Sequence, residues 1–231
     1  MLDYVQQLPY VGEDLLKRFD VDFRLVQLPA ATAPGLSIFE EGDYYAFIDR
    51  WGSKLHMPKQ GGLYFDWVDF PIKEPTMQAL DNYRWPQPDP IELNVQLAAQ
   101  AKHLYEQTNY ALVGSGVIGG GIFEQPSRVM GMENFLMALV AEPQFADRLM
   151  ERITDIYIES CNNYLDQVGK YIQVFTYWDD VNTQAGWMIS RLAAALCLHP
   201  FTTSKRSCRR KISSPCLRRR WSTNTQKDRE L

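Results

Sequence analysis

The sequence predicts an α/β fold, a parallel sheet with its helices outside, closed as a barrel or doubly wound. Three observations predict it. Residues 110–175 run strand, glycine-rich loop, long helix, strand, which is the βαβ rhythm of a parallel sheet. Tyr110-Ala111-Leu112-Val113 is continuously apolar, as a strand buried on both faces would be. Trp178-Asp179-Asp180 falls at the C-terminal end of a strand, where barrels and doubly wound sheets gather their functional groups.

The elements follow in order. Residues 12–19 predict a helix, with Glu13 and Asp14 in its first turn and Lys17 and Arg18 in its last, as the helix dipole favours. The alternating run from Val21 to Val26 predicts a strand. Residues 30–42, rich in Ala, Pro and Gly, read as a loop, Tyr44 to Trp51 as a short strand or hairpin arm, and Gly61-Gly62 as a turn. Pro71, Pro75, Pro86, Pro88 and Pro90 mark a long excursion, too irregular for a compact βα unit. A helix is predicted over 91–106, with Asp89 and Pro90 as its cap and first position. After the strand at 110–113 comes a glycine-rich loop, 114–121.

A helix over 132–141 is broken at Pro143, and a longer one covers 144–168. On the latter Phe145, Leu149, Ile153, Ile156, Cys161, Tyr164 and Val168 recur at helical spacing and form one apolar stripe. Gly169 stands where a terminating glycine belongs. The strand at 171–175 then delivers Asp179 and Asp180. No internal repeat is present.

Composition bounds the rest. The chain is 45% hydrophobic, enough to bury a core, yet no window is long and apolar enough to cross a membrane. The start has no basic, then apolar, leader. Four cysteines without regular spacing argue against a disulfide framework and a zinc site, so a reducing cytoplasm is expected. The net charge of −4 hides an asymmetry: residues 1–190 carry 13 basic and 26 acidic groups, residues 191–231 carry 11 and 2. Cys197, Cys208 and Cys216 also lie in that last stretch. Two regions are predicted, a domain over 1–190 and a basic tail over 191–231.

Candidate site residues are few. Gly114-Ser115-Gly116-Val117-Ile118-Gly119 matches the dinucleotide fingerprint after a strand. Against that reading stand Gly120 and Gly121, Pro126 where the phosphate-binding helix should already run, and the lack of a second strand ending in an acid. The loop is therefore read as a flexible active-site loop, with Gly119 and Gly120 expected at the substrate. Asp179 and Asp180 are the candidate catalytic acids, able to stabilise a cation, hold a metal, take a proton, or cap a helix. Asn182 and Gln184 add neutral hydrogen-bonding groups for substrate. Asp49-Arg50-Trp51-Gly52 and Tyr64-Phe65-Asp66-Trp67 read as packing and turn residues, His56 and His103 as structural or exposed, and Cys161 as a core thiol. No residue is assigned to a metal or a cofactor.

An ordered set of segments then resembles the uroporphyrinogen decarboxylase (URO-D) superfamily, in the branch bordering corrinoid and coenzyme M methyltransferases. They are Glu13 to Arg24, Asp49-Arg50-Trp51-Gly52, Phe70-Pro71-Ile72 and Tyr83-Arg84-Trp85-Pro86-Gln87-Pro88. Gly131-Met132-Glu133-Asn134 and Trp178-Asp179-Asp180 with Gln184 and Met188-Ile189-Ser190 complete it. The resemblance covers about residues 2–190 and implies a TIM (β/α)8 barrel with its cleft at the strand C-terminal ends. It implies cofactor-free decarboxylation of a tetrapyrrole in porphyrin biosynthesis, an acid stabilising a protonated pyrrole while basic residues hold carboxylates.

Departures from the family pattern shape the expectation. The arginine-bearing N-terminal strand is missing, and Pro29 stands where the decarboxylase aspartate is implied. The zinc-binding His and Cys of the methyltransferase branch would fall after Ser190, where nothing matches. A barrel of this kind needs roughly 250 residues, so an incomplete barrel, of marginal stability and without activity of its own, is expected. The alternatives are a zinc-dependent relative moving methyl groups from a corrinoid protein to a thiol, and a non-enzymatic fragment or basic-tailed binding protein. The tail could meet phosphate through Arg209-Arg210-Lys211 and Arg218-Arg219-Arg220, but it lacks any nucleic-acid motif and reads as disordered. A frameshift near codon 190 explains it, and the nucleotide sequence decides that.

Overall fold

The computed structural model describes residues 2–3, 8–9, 11–27, 37–89, 95–115, 117, 119–184 and 186–187. Pro29, residues 90–94, Met188 to Ser190 and the tail 191–231 lie outside the described residues, so the expectations placed on them stand apart from the structure.

Strands β1 (Leu2–Asp3) and β2 (Leu8–Pro9) pair antiparallel, and α1 (Glu13–Arg18) follows. Helix α1 buries none of its residues. It is tied to the sheet instead by Glu13, whose two carboxylate oxygens accept Arg24 Nε and Nη2 at 2.9 Å each. Arg24 sits on β3 (Phe23–Val26), is buried, and lies with its guanidinium 3.6 Å from the Tyr110 ring centroid. The strand predicted at 21–26 is thus present, shortened to four residues.

An antiparallel meander comes next: β4 (Phe39–Glu41), β5 (Tyr44–Ile48), β6 (Lys54–Pro58) and β7 (Asp66–Asp69). The arm predicted at 44–51 is β5, and its three partners show no strand pattern in the sequence because they are short and broken by charged residues. Phe47, Leu55 and Phe65 form its small core. His56 on β6 stacks on Tyr44, with ring centroids 5.1 Å apart, and pairs with Glu41, a structural role. The excursion then makes a short helix, α2 (Met77–Asn82), which the prolines concealed. Its N-cap Thr76 accepts the Ala79 N–H at 3.2 Å.

Helix α3 (Val95–Gln107) leads into β8 (Ala111–Gly114). Here the expectation of a strand buried on both faces fails. Leu112 and Gly114 are buried, but Ala111 is exposed and Val113 half-buried, so only one face is covered.

Helix α4 (Glu124–Met130) passes through Pro126, where no helix was expected. Pro126 is only the third residue of α4, and in a first turn the missing N–H has no intrahelical partner to lose. Gly131, at φ +86°, turns the chain into α5 (Met132–Ala141), which matches its predicted range. Helix α6 (Pro143–Val168) begins at its proline and carries the stripe as predicted: all seven residues are buried. Gly169 ends α6 in right-handed geometry, φ −57°, so its lack of a side chain is not used for a left-handed turn.

Strand β9 (Val174–Phe175) is shorter than predicted, and a hairpin of β10 (Asn182–Thr183) and β11 (Gly186–Trp187) closes the described chain. The parallel sheet runs β3-β8-β9, Leu112 facing Arg24 and Val113 facing both Leu25 and Val174. Strand order follows chain order without reversal, as in a barrel. Helices α3 and α6 cover one face through Val26, Leu97, Ala101, Leu112, Tyr164 and Val168. This is the predicted α/β class, a partial TIM-barrel-like sheet with outer helices. A second core joins α4, α5 and α6 beneath Trp51, Ile72 and Leu80. Among the described residues no helix is long and apolar enough to cross a membrane.

Candidate active-site cleft

A cleft of about 240 Å³ opens beyond the C-terminal end of β8, where the glycine-rich loop meets α4, α6 and the β5–β6 turn. Helix α4 supplies Gln125 and Arg128, three residues apart on one face. Helix α6 supplies Tyr157 and Ser160 at the same spacing. The turn supplies Asp49, Arg50 and Trp51, and the segment before α3 adds Asp89.

Arg128 is fixed from three sides. Its Nη1 donates to the Gly119 carbonyl at 3.1 Å, its Nη2 pairs with Glu124 at 2.5 Å, and its guanidinium lies 4.5 Å from the Trp67 ring centroid. Tyr157 is buried and directs its hydroxyl to the Gly119 carbonyl at 3.3 Å and Gln125 Oε1 at 3.2 Å. Burial holds that phenol far above its ordinary range, so it stays a neutral hydrogen-bonding group. Gln125 is fully buried, and its Nε2 has no partner.

The acids differ in setting. Asp49 Oδ1 accepts the Trp51 and Ser53 N–H groups at 2.9 Å each, and burial raises its carboxyl above the ordinary range. Asp89 is neutralised by Arg50, Nη1 to Oδ1 at 2.5 Å, while Arg50 Nη2 donates to the Gln87 carbonyl at 2.5 Å. Ser160 Oγ accepts the Asp89 N–H and Asn163 donates to the Asp89 carbonyl, which anchors the segment to α6. Two guanidinium groups, an acid whose carboxyl burial raises above the ordinary range and a neutral phenol therefore line one small space. That set can hold a carboxylate.

Asp179 behaves differently from a free acid. Oδ2 accepts the Phe123 N–H at 2.9 Å and Oδ1 the Glu124 N–H at 3.0 Å, so the carboxylate caps the start of α4 from across the fold. Burial raises its carboxyl despite those bonds. Gly121 makes room for it, since a Cβ there would stand 1.7 Å from Asp179 Cγ. A helix start does follow the glycine-rich loop, as in a dinucleotide fold, but a carboxylate of the chain itself already sits on it.

Of the predicted site residues, Gly119 lines the cleft and offers its carbonyl to Arg128 and Tyr157. Gly120, at φ +82°, packs against the Arg128 guanidinium. Asp180 is exposed beside Asp179, and Gln184 is exposed in the β10–β11 turn. The Asn182 side chain lies outside the described residues, and its backbone pairs with Trp187. Neither aspartate is among the residues lining the cleft. Asp49 and Arg50, expected as turn residues, do shape the β5–β6 turn, with Asp49 accepting the Trp51 and Ser53 N–H groups, and they also line the cleft. Arg128 and Tyr157 join them there, and neither stands in a sequence pattern that marks it. Among the described residues no three His, Cys, Asp or Glu side chains converge as a metal site.

The family model described as uroporphyrinogen decarboxylase (URO-D) matches residues 47–189. That span takes in the end of β5, strands β6 and β7, the cleft and the Asp179 cap. No curated protein and no solved structure matches the chain.

Proposed function

The chain belongs to the uroporphyrinogen decarboxylase family, and from that premise we propose that its cleft receives one carboxylate arm of a tetrapyrrole-type substrate. The observation that carries the reading is the convergence of Arg50, Arg128 and the buried acid Asp49 on a single small cleft. A guanidinium matches a carboxylate in planar geometry. Tyr157 and Gln125 add neutral polar contacts that orient it. When an arm loses CO2, the electron pair left on carbon takes up a proton, and Asp49, whose carboxyl burial raises above its ordinary range, is the acid we assign to that side of the cleft. Asp179 acts as a positioning residue: it fixes the start of α4 and through it Gln125 and Arg128. Asp180, exposed beside it, is the acid we assign to the cationic face of the ring. No cofactor and no macromolecular partner enter this reading, and the setting is the reducing cytoplasm.

Pro29 marks where the family's aspartate is implied, so turnover by this chain is expected at background while binding persists. The test is equilibrium binding of uroporphyrin, with carboxyl loss from uroporphyrinogen followed in parallel. Binding that Arg128→Gln weakens about tenfold, the scale of a charged hydrogen bond, supports the reading. Binding indifferent to that substitution overturns it.

Pro29 also favours a second reading, methyl transfer from a corrinoid protein to a thiol. The described residues do not offer a zinc donor set, and the implied His and Cys would lie after Ser190. A zinc-dependent methyl-transfer assay beside the carboxyl-loss assay separates the two.

A further inference from the structure

On the other side of the Asp49-Arg50-Trp51 wall lies a larger groove of about 710 Å³. Pockets that take small molecules run roughly 300–1,000 Å³, so this groove has the capacity that the inner cleft lacks. Its far bank runs from the last residue of α2, Asn82, to Gln87, and Pro71 and Pro86 stiffen its walls.

The aromatic surface in the groove is held in place. Tyr83 and Trp85 meet edge to face with centroids 4.8 Å apart. Tyr83 donates its hydroxyl to the Trp51 carbonyl at 2.6 Å, across the groove, and Trp85 Nε1 donates to the Leu80 carbonyl at 3.2 Å. Rings fixed before binding lose little entropy when a ligand lands on them.

Charge in the groove is one-sided. Arg84 is exposed and forms no ion pair among the described residues. Arg50 is half-exposed and borders both spaces, held by Asp89 and the Gln87 carbonyl. The acid lining the groove, Asp49, has Oδ1 committed to two backbone N–H groups. Asp89 lies on the inner side of the wall.

We propose that this groove is a second binding site, for a flat aromatic acid, whose ring rests on Trp85 and Tyr83 and whose carboxylate meets Arg84 and Arg50. Asp89 is then the chain's own anion, holding Arg50 until the ligand carboxylate takes over. The site goes beyond the reaction assigned to the inner cleft and shares only its wall.

Calorimetric titration of the full chain with 2-naphthoate and with neutral 2-naphthamide tests this. The acid is expected to bind about tenfold more tightly than the amide, as two guanidinium contacts imply. Arg84→Gln is expected to weaken the acid about fivefold and leave the amide unchanged, the scale of an exposed pair. Asp89→Asn keeps the backbone bonds to Ser160 and Asn163 and is expected to strengthen the acid about threefold by releasing Arg50. Equal binding of acid and amide, no binding of either, or an Arg84→Gln chain that binds as the parent does would overturn the proposal. Failure of uroporphyrin binding with naphthoate binding intact removes only the decarboxylase reading. The urea midpoint of each variant checks that it folds.

Discussion

Asp179 and Gly121 form a lock between two residues that are remote in sequence, and each depends on the other. The carboxylate reaches the α4 start only because residue 121 has no side chain. Gly121→Ala is expected to drive Asp179 off both N–H groups and destabilise the chain by about 2 kcal/mol, from crowding and a lost cap together. Urea denaturation measures the loss, and hydrogen exchange at Phe123 and Glu124 should rise with it. A midpoint within error of the parent would show that the loop yields without cost.

Asp49 also carries a sign-definite pH dependence. Its folded carboxyl is raised above the ordinary value of 3.8 by burial. Between that value and the raised one the folded state holds more protons than the unfolded state, so stability falls as pH rises through this window. Asp49→Asn keeps an oxygen for Trp51 and Ser53 and removes the titration. The urea midpoint of the variant should therefore be flatter against pH just above 3.8. An unchanged slope would place the titration elsewhere, with Asp179 the next acid to test.

Among the elements, α6 ties the molecule together because its stripe serves both cores. Leu149, Ile153 and Cys161 face α4 and α5, while Tyr164, Leu165 and Val168 face the sheet. Leu149→Ala removes a fully buried side chain and is expected to cost about 3 kcal/mol. Tyr164 does more than pack: its hydroxyl donates to the Val26 carbonyl at 2.5 Å and so bolts α6 to β3. Tyr164→Phe should cost about 1 kcal/mol, since the buried carbonyl is left without that donor. Equilibrium unfolding of the two variants separates these scales.

The same level shows why some elements were readable. A helix of 26 residues repeats its apolar period seven times, and α1 advertises itself by the charges at its ends. The meander strands are three to five residues long, too short for a period to establish itself. Helix α4 hid behind Pro126, which is a breaker by rule but harmless in a first turn.

The whole molecule shows an uneven distribution of apolar surface. On the sheet face away from α3 and α6, Phe23, Leu25 and Val174 are each nearly half exposed. Apolar surface gathered in one patch promotes self-association. We expect the chain to bind a hydrophobic dye in its native state and to sediment as concentration-dependent oligomers. Leu25→Lys should reduce both while changing stability by no more than about 0.5 kcal/mol, as exposed substitutions do. A monomer that ignores the dye would mean this face is covered in solution.

Local periodicity and end chemistry were enough to place α1, α5, α6 and the parallel strands, because each signal lies within one contiguous stretch of chain. They also gave the class, α/β with outer helices. The cleft was beyond them, since Asp49, Asp89, Gln125 and Tyr157 are distant in sequence and converge only when α4 and α6 close on the β5–β6 turn. Asp179 makes the same point. The sequence put an acid after a strand, and only the arrival of α4's unsatisfied N–H groups beside it made that acid a cap.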